Sequence, residues 1–378
     1  MDPATKRPSA FFLYRESALR REALRLGPGA GERYSLYGLD ELGAGFDVAH
    51  NLEPEYRPGA YANAASGLLR RSLGLLGGYP GDFASVLACR SALNGADVVF
   101  STVDTVGIPL ALLARAGLVR SPIVYAAIGL PERLAELRND AIRRLYRSAY
   151  RGLQALVAYG WGEVDALREW LGEGAPPVHF VPFGVDEEYF RPEPGRDAEL
   201  DVVSIGADTR RDHELLVGLA KRRPEWTFLV VATREYAQAL GSAPANLRVE
   251  LDVPLHSVRE RLRSARIVVL PVRDNTYSGA TTVLLQAMAT AKPVVVSRTA
   301  AIAHGYELDD GGNCVLVTPG DTSALEHAVA GLLDDRERAA AIGARARETI
   351  ERHLTWKRYT AAIRALLLEA CGRTTVSG

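Results

Sequence analysis

The stretch from Val268 to Ser297, VVLPVRDNTYSGATTVLLQAMATAKPVVVS, carries the clearest chemical pattern in the chain. An apolar run leads into a polar loop with Ser278 and Gly279, then a helical pattern over 280–290, Lys292-Pro293 and a second apolar run. A glycine loop that opens a helix behind a parallel strand presents backbone N–H groups and the positive end of the helix dipole. That combination suits a phosphate oxygen. Ser278 and Thr281 also suit ordinary N-cap roles, so the loop alone allows either an anion cradle or a plain helix start.

Such a loop works only if flanking elements hold it. The first half of the chain alternates apolar strand patterns at 10–14, 47–50, 98–101 and 123–127 with helical patterns at 34–42, 85–93 and 109–116, which is βα repetition. A longer helix is expected over 131–152, with Leu134, Leu137, Leu145 and Ala149 on one side and Arg144, Arg147 and Arg151 on another. Strands at 153–159 and 178–181 follow. The segment FGVDEEYFRPEPGRDAE then breaks the rhythm and marks a domain connection. Beyond it, strands are expected at 200–205, 228–232, 247–251, 267–270, 293–297 and 314–317. Helices are expected at 212–221, 256–264, 280–290, 322–333, 336–352 and 356–370. The predicted class is α/β, with two Rossmann-like domains facing across a cleft and ligand at the carboxyl ends of the strands. The predicted domains are 1–184 and 185–354, with 355–378 returning to the first.

Composition narrows the function. At 378 residues the chain suits two cores rather than one. Forty-five basic against forty-six acidic residues provide no overall field for a nucleic-acid partner. The apolar run before Arg15 is too short for a signal peptide or a membrane span. Cys89, Cys314 and Cys371 stand far apart with no CxxC pair, and the seven histidines show no metal spacing. A cytoplasmic protein without a metal or other cofactor is expected.

The second half resembles the donor-binding domain of retaining nucleotide-sugar glycosyltransferases with the GT-B fold, specifically glycosyltransferase family 4. The resemblance is carried, in order, by VVSIGADTRRDHELL, ARIVVLPV, SGATTVLLQAMATAKPVVVS, ELDDGGNCVLVTPGDTSAL and the two closing helices. It covers 200–370 well, the linker FVPFGVDEEYFRP closely, and the first domain in outline. The family's signature has two glutamates eight residues apart, and here Ser278 and Gln286 stand at those positions. An amide at Gln286 still accepts a hydrogen bond from a ribose hydroxyl. Ser278 does not replace an acid that orients the donor sugar, and Asp274 or Asn275 is the alternative oxygen source.

The resemblance assigns the diphosphate to Arg210 and Arg211, with Gly206 allowing close backbone approach. An arginine fork matches phosphate oxygens at two points, and the competing reading is a solvated turn capping a helix at Asp212. The amides and side chains of Gly279, Ala280, Thr281 and Thr282 complete the donor site. In the first domain GPGAGERYSLYGL resembles the glycine loop that faces the diphosphate, with Gly29 and Gly31 as its close-approach positions. Ile128 stands where the family commonly has a histidine. The expected activity is metal-independent hexosyl transfer from a nucleoside diphosphate sugar to a lipid, saccharide or small-molecule hydroxyl, with retention. The alternatives are a GT-B pseudoenzyme or partner subunit, and a nucleotide-sugar epimerase or hydrolase. Peripheral membrane contact through Arg144, Arg147 and Arg151 competes with a solvated helix face. Trp161 and Trp170 suit either an acceptor pocket or the core.

Overall fold

The computed structural model describes residues 7–206, 208, 210–234, 240, 243–275 and 279–372. The chain divides into two units, Met1–Val181 with Thr360–Gly378, and Pro182–Tyr359.

The first unit contains β1 (Ser9–Leu13), α1 (Ala18–Leu26), α2 (Leu39–Leu42), β2 (Asp47–His50), α3 (Ala60–Leu75), α4 (Phe83–Ala88) and α5 (Arg90–Gly95). It continues with β3 (Val98–Thr102), α6 (Asp104–Arg115), β4 (Ile123–Ala127), α7 (Leu130–Ala135) and α8 (Asp140–Arg151). β5 (Ala155–Ala158), α9 (Trp161–Leu171) and β6 (Val178–Phe180) close it. Its strands pair in parallel in the order β2-β1-β3-β4-β5-β6.

The second unit begins with β7 (Leu200–Ile205), α10 (His213–Arg222), β8 (Phe228–Ala232), β9 (Leu247–Leu251), α11 (Leu255–Arg263) and β10 (Ala265–Leu270). It goes on through α12 (Thr281–Ala289), β11 (Val294–Ser297), β12 (Val315–Val317), α13 (Thr322–Asp334) and α14 (Arg336–His353). These strands are also parallel, in the order β12-β11-β10-β7-β8-β9. α15 (Trp356–Ala370) starts in this unit, and from Thr360 onward its residues belong to the first.

Strands such as IVYAA, ALVA and FLVVA are buried at every position, as a parallel sheet covered by helices on both faces requires. Each sheet winds outward in both directions from its first strand. The direction therefore switches between β1 and β3 in one unit, and between β7 and β10 in the other. In open α/β sheets the crevice outside the carboxyl ends at that switch is where ligands bind.

Several local outcomes differ from the sequence pattern. The helix expected from Pro109 begins at Asp104, five residues earlier. Proline inside a helix strands the carbonyl four residues back, and here Asp82 N–H donates to Thr105 O at 2.7 Å. Gly81, at φ +43, makes room, since a Cβ there would overlap the Pro109 ring and lie 2.8 Å from its Cδ. The single helix expected over 131–152 is two, because Asn139 starts a new one by accepting from Ala141 N at 2.9 Å and Ile142 N at 3.3 Å. Its buried face is Ile142, Tyr146, Ala149 and Tyr150, and Leu145 faces outward. Helices α1 and α3 have no counterpart in the sequence reading, and 34–42 forms a 3-10 segment (Gly31–Leu36) and one short helix rather than one continuous helix.

Candidate functional site

The second unit's switch point is built from the loops that leave β7 and β10. Asp208 turns the first of them, its Oδ1 accepting from Arg210 N at 2.7 Å and its carbonyl from Arg211 N at 3.2 Å. The next residues pair with the loop after β10: Arg211 bridges Val272, Asp212 N donates to Pro271 O at 2.9 Å, and Arg273 N donates to Arg210 O at 2.8 Å. Val272 N in turn donates to Ser297 Oγ at 2.9 Å at the end of β11. Three neighbouring carboxyl ends are thus stitched together before any ligand arrives, which lowers the ordering cost of binding.

Both predicted arginines lie on this scaffold. Arg211 is buried at 4% exposure, whereas Arg210 is half-buried. Asp212 caps α10, accepting from Leu215 N at 3.1 Å, so the helix-start reading is realised at the residue next to the arginine pair. The role of Gly206 is corrected. The space a Cβ would fill there is taken by the Arg211 guanidinium, with Cζ at 2.7 Å and Cδ at 2.8 Å. Gly206 admits the arginine rather than a ligand to the backbone. Sequence reasoning missed His213, the first residue of α10, which is 4% exposed and whose Nε2 has no hydrogen-bond partner among the described residues. Burial, and then the neighbouring Arg211 charge, lower its pKa below the ordinary imidazole value. Its place directly after a helix-capping aspartate beside the arginine pair was the available signal.

The loop after β10 leads to α12. Asn275 is buried and donates from Nδ2 to Arg273 O at 2.7 Å, while Asp274 is exposed. Ser278 lies outside the described residues. The N-cap of α12 is Ala280, which offers no side-chain acceptor to the first-turn amides. By contrast Asp212, Asp321 and Asp335 each cap their helix with a carboxylate. Thr281, first in α12, is 2% exposed, and its Oγ1 has no partner among the described residues. Gly279 and Thr282 are half-buried, and Gln286 is 3% exposed within the helix. A helix start without a capping acid, beside a buried hydroxyl and following the strand next to the arginine loop, has the donors an oxyanion needs.

The first unit departs from the expected glycine-loop geometry. The chain leaves β1 through Tyr14, whose N–H and C=O pair with the Asn51 side chain at 2.7 and 2.9 Å. Gly29 and Gly31 come only after α1, a helix about 13 Å long. Gly29 is an exposed turn residue at φ +85 with nothing near its missing Cβ, and Gly31 is the buried first residue of the 3-10 segment. Arg20 Nε donates to Ser35 O at 3.1 Å and Arg33 Nη1 to Ala23 O at 3.1 Å, folding that segment back onto α1. Gly29 supplies the positive φ that its turn requires.

Two acids at the carboxyl edge of the first sheet, the half-buried Asp104 and the buried Glu163, also escaped sequence reasoning. Asp104 follows β3 behind Val103, a β-branched residue held at φ +65. Burial pushes its pKa up to about 6, against the pull of the Tyr125 hydroxyl that donates to it and of Arg133. Glu163 is fully buried and accepts from Gly129 N at 2.8 Å and Tyr159 N at 3.3 Å. It ties the loop after β4 to the loop after β5, next to Ile128. Burial raises its pKa to about 8, in spite of those two backbone donors. Two of the three arginines of the α8 stripe are engaged locally: Arg147 Nε donates to Trp170 O at 2.9 Å and Arg151 Nη2 to Leu171 O at 2.7 Å, while Arg144 is exposed. Cations there satisfy the last carbonyls of α9. Trp170 lies under Arg147, and Trp161 stacks on Phe180 at 5.0 Å. Among the described residues no three His, Cys, Asp or Glu side chains cluster as metal ligands, and no helix is long and apolar enough to cross a membrane.

Residues 213–335 match the family model of glycosyl transferases group 1. A curated relative, the MMP alpha-(1->4)-mannosyltransferase of Mycolicibacterium hassiacum, is 27% identical over 253 residues, covering 62% of this chain and 60% of that protein. Sucrose-phosphate synthase from Thermosynechococcus elongatus superposes with a TM-score of 0.72 at 16% identity, over 96% of this chain and 98% of that one. Anabaena HepE in complex with UDP-glucose gives 0.69 at 15% identity, over 95% and 99%. The two six-stranded parallel sheets are those of the GT-B fold. The chain thus has the fold of these glycosyltransferases, and residues 213–335 of its second unit match the group 1 glycosyl transferase model.

Proposed function

We propose that the protein transfers a sugar from a nucleoside diphosphate sugar to an acceptor hydroxyl, with retention at the anomeric carbon. The observation that carries this reading is the second unit's switch point, where the Asp208-turned arginine loop is hydrogen-bonded to the segment after β10, ahead of α12, whose N-cap Ala280 offers no side-chain acceptor. Departure of a nucleoside diphosphate builds negative charge on its phosphates. Arg210, Arg211, the first amides of α12 and Thr281 are fixed donors that stabilise such charge without reorganising. This charge balance uses no metal ion. HepE's crystallisation with UDP and UDP-glucose supports a uridine donor, and the mannosyltransferase relative supports a hexose. Gln286 offers an amide where the family places its ribose-binding carboxylate. Acceptor binding belongs to the first unit in this reading, and the setting is cytoplasmic.

A thermal-shift panel of nucleoside diphosphates and their sugars tests it. A ligand held by the native state alone at a hundred times its Kd stabilises by about 2.7 kcal/mol. A shift selective for one base and one sugar is the expected result. A panel in which no nucleoside diphosphate raises the midpoint refutes the donor site. The glutamine and serine in place of the glutamate pair, with isoleucine in place of the histidine, favour one second reading, a nucleotide binder without turnover. That reading predicts a thermal shift with no release of nucleoside diphosphate under any acceptor.

A further inference from the structure

The second unit has a cavity of about 440 Å³ at the amino edge of its sheet. Its buried lining is Ala265, the first residue of β10, with Pro293 just before β11 and Leu332 near the end of α13. Ala339 and Ala340 add a wall of small side chains from the first turns of α14. That helix closes on the loop before β11 because Gly343, one turn on, has no side chain: a Cβ there would overlap Ala291 O and lie 2.9 Å from its carbonyl carbon. Both the volume and the largely apolar lining are those of a small-molecule site.

Three cations reach this cavity. Arg266 is engaged, with Nη1 on Asp201 Oδ1 and Nη2 on Leu333 O, both at 2.7 Å. The side chains of the half-buried Lys292 and the exposed Arg336 make no ion pair or hydrogen bond among the described residues. Asp197, the carboxylate in the lining, is exposed and unpaired as well. Asp335 stands next to Arg336 in the chain but is turned to the helix start, where it accepts from Arg338 N at 2.9 Å. Two uncompensated cations therefore face one carboxylate. A partly buried ammonium without a counter-charge is costly, and burial, followed by the Arg196 charge, lowers the Lys292 pKa below the ordinary value.

We infer that this cavity binds a small phosphate ester, with the phosphoryl group on Lys292 and Arg336. A compact ammonium and a guanidinium fork both suit phosphate oxygens. Two cations on separate elements favour a dianion over a monocarboxylate, and Asp197 favours an ester over bare phosphate because it accepts from a hydroxyl of the body. The cavity lies the length of β10, about 17 Å, from the carboxyl edge that carries the arginine loop. The inference is thus independent of the donor site and of the reaction proposed above.

The test is isothermal titration of the full chain with glycerol 3-phosphate, inorganic phosphate, glycerate and glycerol, together with NMR of the lysine side chains, of which the chain has four. Glycerol 3-phosphate should bind one to one with a Kd on the order of 1 mM or tighter, phosphate and glycerate more weakly, and glycerol not at all. The ester should also shift the Lys292 resonance and raise the pH at which it titrates. Lys292→Gln should weaken ester binding about tenfold to a hundredfold, the loss of one hydrogen bond to a charged group, and the exposed Arg336→Gln about fivefold. Both should keep wild-type UDP affinity. Ala340→Trp adds bulk at an exposed position of the wall, changes no charge and should block the ester. If Lys292→Gln fails to fold, Ala340→Trp still has to show the loss. Wild type without saturable ester binding overturns the inference, as does equal affinity in wild type and K292Q/R336Q. So does ester heat abolished by saturating UDP, which assigns the ester to the donor site, or glycerate bound as tightly as the ester.

Discussion

Gly206→Ala separates the arginine from the loop that carries it. Gly206 N donates to Val231 O at 3.0 Å, and its backbone lies outside the left-handed region, so alanine keeps the main-chain geometry. The added methyl overlaps Arg211 Nε and lies 2.7 Å from Cζ. The guanidinium is the far end of a flexible side chain, so it moves and the strand does not. The cost to folding is expected to stay near 1 kcal/mol, partly offset by the smaller conformational freedom of alanine in the unfolded chain. The cost to binding is larger. A hydrogen bond to a charged group contributes about 1.5–3 kcal/mol, so UDP affinity measured by isothermal titration calorimetry should fall about tenfold to a hundredfold. Arg211→Ala should lose the same amount, and the double variant no more than either alone, since both changes remove one interaction. Wild-type affinity in Gly206→Ala, or losses that simply add, would refute the placement of Arg211 as the phosphate ligand.

Thr281→Val keeps the shape of a buried residue and removes its hydroxyl; UDP affinity should fall about tenfold, with the melting midpoint unchanged or slightly higher because an unbonded buried oxygen is lost. Glu163 holds its proton more tightly in the folded state, at about 8 against 4.5 for the ordinary group. Its contribution is therefore complete below about pH 4.5 and is lost as pH rises towards 8, with a slope of at most about 1.4 kcal/mol per pH unit. Glu163→Gln should flatten that slope in urea unfolding followed across the range, and an unchanged slope would assign the pH dependence to another group. Gly107→Ala drives a methyl into the Tyr125 ring, with Cζ at 2.6 Å. Overpacking of this kind should lower the stability to urea by about 1–3 kcal/mol, and an unchanged midpoint would show that the ring has room to move.

What one sequence determines here is whatever is written locally. Strands IVYAA and FLVVA were legible because parallel strands buried on both faces are continuous apolar runs. The starts of α13 and α14 were legible because Asp321 and Asp335 cap them from the adjacent position. The arginine pair and the loop before α12 could be named for the same reason: glycine, arginine and a helix start stand close together along the chain. Tertiary packing decided the rest. Helix α6 runs through Pro109 because Asp82, distant in sequence, satisfies the carbonyl that proline strands. Gly206 serves Arg211 rather than a ligand because a folded side chain fills its space. Glu163 became a buried acid because amides from two different loops converge on it. Capping, periodicity and turn chemistry act over a few residues, whereas burial and hydrogen-bond partnership depend on which distant segments the fold brings together.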